Sequence, residues 1–255
     1  MTILIDPPLI EAIFQLYWGE VTPGQFSYTQ EEQTLFAGKI SASASEQGYP
    51  VTQSIQQNSP MLMPMQVTHR FRKKNNTWPC YQVGLGIFTV NQISDGYEWA
   101  SFKDSIKTGL NIFEQAEPGK LAAVSNTLSI LLIYQDAFYP EPNISIEEYL
   151  RDNFQINAGL PDSFLKHNDI NRNKSDVDIN IKIELNNPKG MVSIKIANVI
   201  INDQPGLLME TIVQSKIIGD LGGKTDTNSI LSWVENAHNI QKHSFETLIK
   251  SGAYQ

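Results

Sequence analysis

The clearest candidate for binding chemistry in this sequence is a basic cluster followed by a tryptophan. Arg70, Arg72, Lys73 and Lys74 stand close together, and Trp78 follows across a short polar segment. Cationic side chains neutralise phosphates and an exposed aromatic ring stacks on a base, so the cluster suggests contact with a nucleic-acid backbone. The same residues also suit a solvated hairpin tip, or charges that protect a sheet edge from pairing. We favour this second interpretation.

Histidine is the second candidate, because an imidazole can act as an acid or base near neutral pH or contact a ligand. His238 lies near Val234 and Phe245 in a segment with helical periodicity. We favour a structural role, in which this histidine hydrogen-bonds to backbone at a helix boundary, since function must be argued from the geometry of a site. His238 and His243 do not share a helix face, so they make a poor metal pair.

The glycine-rich segments and the single cysteine complete no catalytic motif. Gly84-Leu85-Gly86 continues into apolar strand, whereas a dinucleotide-binding loop continues into a helix. Its glycines instead predict a bulge or a close approach of backbone. The GDLGGK segment at 219–224 lacks the spacing of a phosphate-binding loop. Cys80 lies in a predicted strand with no histidine nearby in sequence, which favours packing over nucleophilic chemistry.

Metal and carboxylate chemistry also lacks a pattern. Neither HExxH nor CxxC occurs, and the acidic residues are scattered. Asp178 and Glu184 share one face of a predicted strand but stand about 20 Å apart at strand rise. We therefore predict no catalytic residue, no metal site and no bound cofactor.

Composition narrows the class of protein and of partner. The 255 residues, 41% of them hydrophobic, suffice for one large domain, and we take 1–255 as a single domain. A net charge of −8 disfavours a dedicated nucleic-acid or polybasic membrane binder. No run of about 18 apolar residues suggests a membrane span. The single cysteine and a start without a basic region before its apolar residues favour a cytoplasmic protein.

Periodicity and capping signals predict the elements that would position these candidates. In chain order they are a strand at 9–18, a helix at 29–47 that is weak and faces solvent, strands at 61–73 and 78–92, a helix from Trp99 to Phe113, a strand at 128–139, a short helix at 145–154, an exposed loop at 157–176, strands at 177–185, 192–196 and 207–218, and a long helix at 228–250. This order predicts an α+β fold with a curved, mainly antiparallel sheet, helices on one face and a long C-terminal helix. Two similar halves, about 1–120 and 121–255, share a β-α-β-β plan.

Four segments together resemble a sporadically distributed prokaryotic family of proteins of about this length. They are PPLIEAIF near the start, YQVGLGIFTVN, GYEWASF, and Ala237-His238 with Phe245 near the end. The resemblance covers nearly the whole chain and implies no established activity. It does imply horizontally moved genes, such as antiviral defence or toxin–antitoxin loci. Where the family pattern has Leu-Arg-Tyr-φ-Asn, this chain has Leu132-Ile133-Tyr134-Gln135-Asp136, so any role of that arginine is missing here.

Three functions remain open at this point. The first is a non-enzymatic interaction or accessory protein that works with a protein partner encoded nearby, or as a homo-oligomer. The second is a small-molecule binding module with a pocket between the sheet and the C-terminal helix, lined by Met61, Met63, Met65 and Trp99. The third is a nucleic-acid binder that uses the Arg70–Lys74 hairpin, with Trp78 as a stacking surface. The absence of a catalytic constellation favours the first.

Overall fold

A computed structural model describes residues 8–55, 63–141, 144–156, 160–171, 176–201, 203–217 and 225–250. The elements are β1 (Leu9–Tyr17), β2 (Glu20–Thr22), β3 (Gln25–Phe26), α1 (Gln30–Thr34), α2 (Phe36–Glu46), β4 (Val51–Ser54), β5 (Val67–Arg72), β6 (Cys80–Gly84), β7 (Ile87–Ile93), α3 (Trp99–Ala116), α4 (Lys120–Ala123), β8 (Ser129–Phe138), α5 (Ile146–Asn153), α6 (Asp162–Leu165), β9 (Asp178–Leu185), β10 (Gly190–Ile201), β11 (Gln204–Ser215) and α7 (Thr227–Leu248).

Nine of the strands form one sheet in the order β4-β5-β6-β7-β1-β8-β11-β10-β9. Every neighbouring pair in this sheet is antiparallel. The first strand, β1, lies in the centre between β7 and β8. The predicted α+β class, with a large antiparallel sheet and a long C-terminal helix, is confirmed.

The long helices pack on one face of this sheet, which we call the helix-covered face. α2 contacts β5 and β6, α3 contacts β7, and α7 contacts β8 and β11. Each helix presents the apolar stripe expected from its spacing; α3, for example, buries Phe102, Ile106, Leu110 and Phe113. The core between helices and sheet is therefore one continuous apolar layer.

Aromatic rings fill the core beneath α2 and α3. Phe113 contacts Trp18, Phe36 and Phe88 edge-on, with ring centroids 5.4, 5.6 and 5.6 Å away. Tyr81 stacks on Phe88 at 6.3 Å and so extends the group. Edge-to-face rings are favourable because the positive edge of one meets the negative face of the other. Phe113 is the centre of this packing.

The predicted helix at 29–47 is wrong in two respects. Thr29 does form the predicted capping box with Glu32, but the helix breaks at Leu35 into α1 and α2. α2 is also not a solvent-facing helix, because Phe36, Ile40 and Ala44 are buried. The ring of Phe36 lies against Trp18, so tertiary packing holds the apolar side of α2 against the core.

The predicted strands at 61–73 and 78–92 have different boundaries in the structure. β5 begins only at Val67, and Met65 has a left-handed backbone with φ of 58°. The second strand is two strands, β6 and β7, joined by a tight turn in which Gly86 has φ of 74°. At Gly84 a Cβ would stand 1.8 Å from the carbonyl oxygen of Gln66. The predicted close approach of backbone is thus confirmed.

Smaller differences occur elsewhere. The prediction missed β4, and the predicted loop at 157–176 contains the short helix α6 in its described part. The last predicted strand is β11, which begins and ends three residues earlier, at Gln204–Ser215. The GDLGGK segment and Met61 lie outside the described residues.

Within the described ranges, no helix combines the length and apolar character needed to cross a bilayer.

Candidate functional site

The structure brings together two of the predicted site residues, Trp99 and His238. Trp99 begins α3, and His238 lies in the middle of α7, so the two rings come from different helices. They stack with their centroids 3.7 Å apart and their planes 9° apart. The stack joins α3 to α7 above β8, the strand next to the central strand β1.

A chain of hydrogen bonds continues from this stack into the fold. Nδ1 of His238 is hydrogen-bonded to the Tyr134 hydroxyl at 3.0 Å, and that hydroxyl is hydrogen-bonded to Tyr97 Oη at 2.5 Å. On the outer side, Glu235 accepts from Trp99 Nε1 at 3.4 Å and from Lys103 Nζ at 2.5 Å. We call Tyr97, Trp99, Lys103, Tyr134, Glu235 and His238 the Trp99–His238 cluster.

The titration behaviour of the cluster disfavours acid–base catalysis at neutral pH. Burial, together with Lys242 and Lys103, outweighs Glu235 and lowers the pKa of His238 to about 4. Burial, with a smaller contribution from Asp136, raises the pKa of Tyr97 and Tyr134. At pH 7 the imidazole and both phenols are therefore neutral, and the imidazole is a weak base. The contacts suit a polar clamp that fixes α3, β8 and α7 relative to one another.

Asp136 lies in the same region, on the helix-covered face of β8. Its neighbours across the sheet are Leu9 and Met209, and it is only 5% exposed. Burial raises the pKa of its carboxyl to about 7. Asp136 therefore changes charge near neutral pH, close to the phenols of Tyr97 and Tyr134, which stay neutral.

The basic hairpin is organised around internal contacts. The guanidinium of Arg72 lies 4.4 Å from the ring centroid of Trp78 and donates to the Thr77 carbonyl oxygen at 2.5 Å, and Arg72 is 4% exposed. Arg70 donates to Gln82 at 3.4 Å, and Lys73 lies 5.2 Å from the centre of the Tyr49 ring. Arg72 and Trp78 therefore contact each other. This contact reduces the cationic and aromatic surface that the hairpin presents to phosphates and bases.

Other chemistry considered in the sequence also lacks a constellation in the structure. Cys80 is fully buried, and burial raises the pKa of its thiol to about 11, so it is not activated as a nucleophile. Within the described ranges, no three His, Cys, Asp or Glu side chains group as a metal site. α7 packs on the sheet through Ile230, Val234 and Ala237, which fill the space that the pocket hypothesis requires.

The opposite face of the sheet, which we call the helix-free face, carries a second and separate apolar cluster. It consists of Ile13, Leu131 and Ile133, with Tyr17 and Ile212 packed against them. Ile133 lies between Ile13 of β1 and Ile212 of β11, so the cluster crosses three strands at the centre of the sheet. In the described part of the chain no helix packs on this cluster.

Polar side chains surround this apolar centre. Gln15 and Gln214 flank Leu131 across the strands, and Asn91 lies opposite Ile13. Further along the same strands Gln135 donates to Glu210 at 3.0 Å, and Lys195 forms an ion pair with the same carboxylate at 3.0 Å. An apolar centre with an amide-rich and charged rim is the usual anatomy of a protein–protein interface.

Comparison with family models, curated proteins and solved structures finds no match to this chain.

The sequence analysis identified the Trp99–His238 pair as two separate residues and missed its partners. Tyr134 and Tyr97 come from distant positions, and only the strand order brings them to His238. The helix-free cluster was not identified as a unit, although the continuous apolar run at 128–139 is typical of a strand covered on both faces and contains Leu131 and Ile133.

Proposed function

We propose that this chain is a non-enzymatic interaction protein that binds a protein partner on the helix-free face of its sheet. The observation that carries the proposal is the second apolar cluster, which lies on a face of the sheet that no described helix covers. Ile13, Leu131 and Ile133 are already mostly buried by one another and by the surrounding side chains, and a partner that covers this face would complete their burial, as at the centre of a protein–protein interface. The polar rim supplies hydrogen bonds that give orientation and specificity.

The competing functions have less support from the contacts. Arg72, one of the two arginines of the proposed nucleic-acid contact, is buried, and its guanidinium lies over the ring of Trp78. The helix–sheet space proposed as a pocket is filled by side chains of α7. The Trp99–His238 cluster satisfies its own polar groups and holds its histidine neutral, which suits a rigid scaffold.

The cellular setting is proposed from the sequence: the single cysteine favours the cytoplasm, and the resemblance implies the family and the kind of gene locus. We infer membership of the sporadically distributed prokaryotic family, a cytoplasmic site of action, and a partner encoded by a neighbouring gene, as in defence or toxin–antitoxin loci. We further propose that 1–120 and 121–255 are two similar halves of one domain. In support, the first strand of each half pairs with the last strand of the same half: β1 pairs with β7, and β8 pairs with β11.

Purification at native expression level tests the proposal. We expect a stoichiometric partner to elute with the chain, and hydrogen exchange in β1, β8 and β11 to slow in that complex. Coexpression with the products of neighbouring genes provides the same test in recombinant form. A chain that elutes without another protein under both conditions would contradict the proposal.

A further inference from the structure

The two edges of the nine-stranded sheet differ in how well they are protected against pairing. β4, at one edge, has four residues, whereas β9, at the other, has eight. β9 pairs with β10 in continuous register from Asp178 to Leu185, without a bulge, and within the described ranges β10 is its sole neighbour in the sheet. A long, regular edge presents a row of free backbone donors and acceptors, which is a template for another strand.

Apolar side chains extend along this edge beyond the reach of the helices. Ile181 and Ile183 are 37% and 51% exposed, and they point to the helix-covered side of the sheet. Their neighbours on β10, Ile194 and Val192, are each 5% exposed. The apolar layer of the core thus continues onto the edge strand, where nothing in the described part of the chain covers it.

The order of side chains on β9 is complementary to itself. If two copies pair antiparallel with Ile183 opposite Ile183, Lys182 of each copy faces Glu184 of the other. On the helix-covered side, Ile181 of each copy then faces Leu185 of the other. The pairing therefore joins three apolar contacts on one side of the strand to two ion pairs on the other.

Neighbouring registers are less favourable. Centring on Lys182 places two lysines together, and centring on Ile181 places Asp178 opposite Glu184. Centring on Asn180 also gives two pairs, between Asp178 and Lys182, but it brings Asp176 against Glu184. Like charges directly opposite each other destabilise a sheet, so they select among these registers. Exposed ion pairs add little energy themselves; backbone hydrogen bonds and isoleucine burial supply the affinity.

We propose that two copies of this chain associate through β9, in antiparallel register centred on Ile183, to form one continuous sheet. This association is independent of the partner proposed for the helix-free face, because it uses the edge of the sheet. The strand that pairs with β9 is β9 of a second copy rather than a strand of another protein. In the antiparallel register, Lys182 and Glu184 of one copy face Glu184 and Lys182 of the other.

A charge-swap experiment tests the proposal in solution. Sedimentation equilibrium on the full chain distinguishes a 28.6 kDa monomer from its dimer. Lys182→Glu alone is expected to weaken the dimer by about tenfold or more, because each changed residue then faces Glu184. Glu184 also forms an ion pair with Lys216 of its own chain at 2.7 Å. The Lys182→Glu/Glu184→Lys/Lys216→Glu variant therefore restores the two pairs between copies together with this internal pair, and it is expected to return close to the wild-type association constant. The matched control Lys189→Glu, in the adjacent turn, should leave it within about twofold.

Crosslinking tests the register independently. Residues directly opposite in an antiparallel pair have Cα atoms about 4.5–5.5 Å apart, so Ile183→Cys should crosslink to its own copy with a short bismaleimide. Wild-type protein is the control, since Cys80 is fully buried. Crosslinking of Asn180→Cys in place of Ile183→Cys would overturn the register. A monomer at all concentrations, or a dimer that ignores the charge changes, would overturn the proposal. Backbone amides of β9 that are protected from hydrogen exchange only when a different protein is present would also overturn the proposal.

Discussion

The two faces of the nine-stranded sheet bury apolar side chains for different reasons. On the helix-covered face, aromatic rings such as Phe113 and Phe88 pack against helices of the same chain and are fully buried. On the helix-free face, Ile13 and Ile133 pack mainly against each other and against a polar rim, and they keep 9% and 7% of their surface exposed. The first face packs the helices of the fold, and the second is the face that we propose for a partner.

The largest expected effect is a difference in the free energy of unfolding between variants on the two faces. Phe113→Ala removes a ring that contacts three other rings, so we expect a loss of about 3–5 kcal/mol in the free energy of unfolding. Ile133→Ala on the helix-free face should cost less, since it removes a smaller side chain than phenylalanine from a position that keeps 7% of its surface exposed. Urea denaturation of both variants measures the difference. Equal losses would mean that the helix-free cluster is ordinary core.

The Trp99–His238 cluster gives the next largest effect. His238→Ala removes the stack on Trp99 and the hydrogen bond to Tyr134, which together should stabilise the fold by about 1–2 kcal/mol. His243→Ala is a matched control on the exposed side of the same helix and should change stability by less than about 0.5 kcal/mol. Thermal unfolding at pH 7.5 compares the two. A small effect at His238 would show that the clamp does not hold α3 to α7.

An effect of similar size is a pH dependence centred on Asp136. Its pKa is raised to about 7 in the fold, above an ordinary value of 3.8, so ionisation destabilises the folded state. This cost begins as pH rises above about 4 and is complete above about 7. Asp136→Asn should therefore unfold at a higher temperature than wild type at pH 8, by an effect on the order of 1–2 kcal/mol, and should lose that advantage at pH 4.

His238 should show the opposite dependence on pH. Its pKa is lowered to about 4 from an ordinary value of 6.5, so wild-type protein loses stability as pH falls from about 6.5 towards 4. His238→Gln should remove that acid loss and leave the alkaline loss in place. If Asp136→Asn and His238→Gln shift the dependence of stability on pH in the same direction, the pH effect has been assigned to the wrong group in at least one case.

Long, strictly periodic segments could be predicted from the sequence. The alternation of Ile179, Ile181 and Ile183 predicts β9, and the spacing of Phe102, Ile106 and Leu110 predicts α3, because each pattern places its apolar side chains on one side of the element. The turn at Gly86 was missed because apolar residues continue on both sides of it. The break at Leu35 was missed because it depends on the contact of Phe36 with Trp18, which is distant in sequence.

The candidate site was predicted less well than the fold. His238 and Trp99 attracted attention by residue type, yet their pairing depends on how α3 and α7 cross the sheet. Arg72 and Trp78 looked like a binding surface, but the same affinity of guanidinium for an aromatic face joins them to each other. The helix-free cluster could not be predicted without the strand order, since Ile13, Ile133 and Ile212 come from three separate segments.

One comparison of variants tests the central claim most directly. Ile212→Lys places a charge on the helix-free face, and Ile200→Lys makes the same change at a 71% exposed position on the other side of the sheet. Each tagged variant is expressed at native level in the source cells, and the stoichiometry of the copurified partner is measured after thermal unfolding confirms that both variants fold. We expect Ile212→Lys to lose the partner and Ile200→Lys to retain it. Retention by both variants would contradict the assignment of the helix-free face as the partner surface.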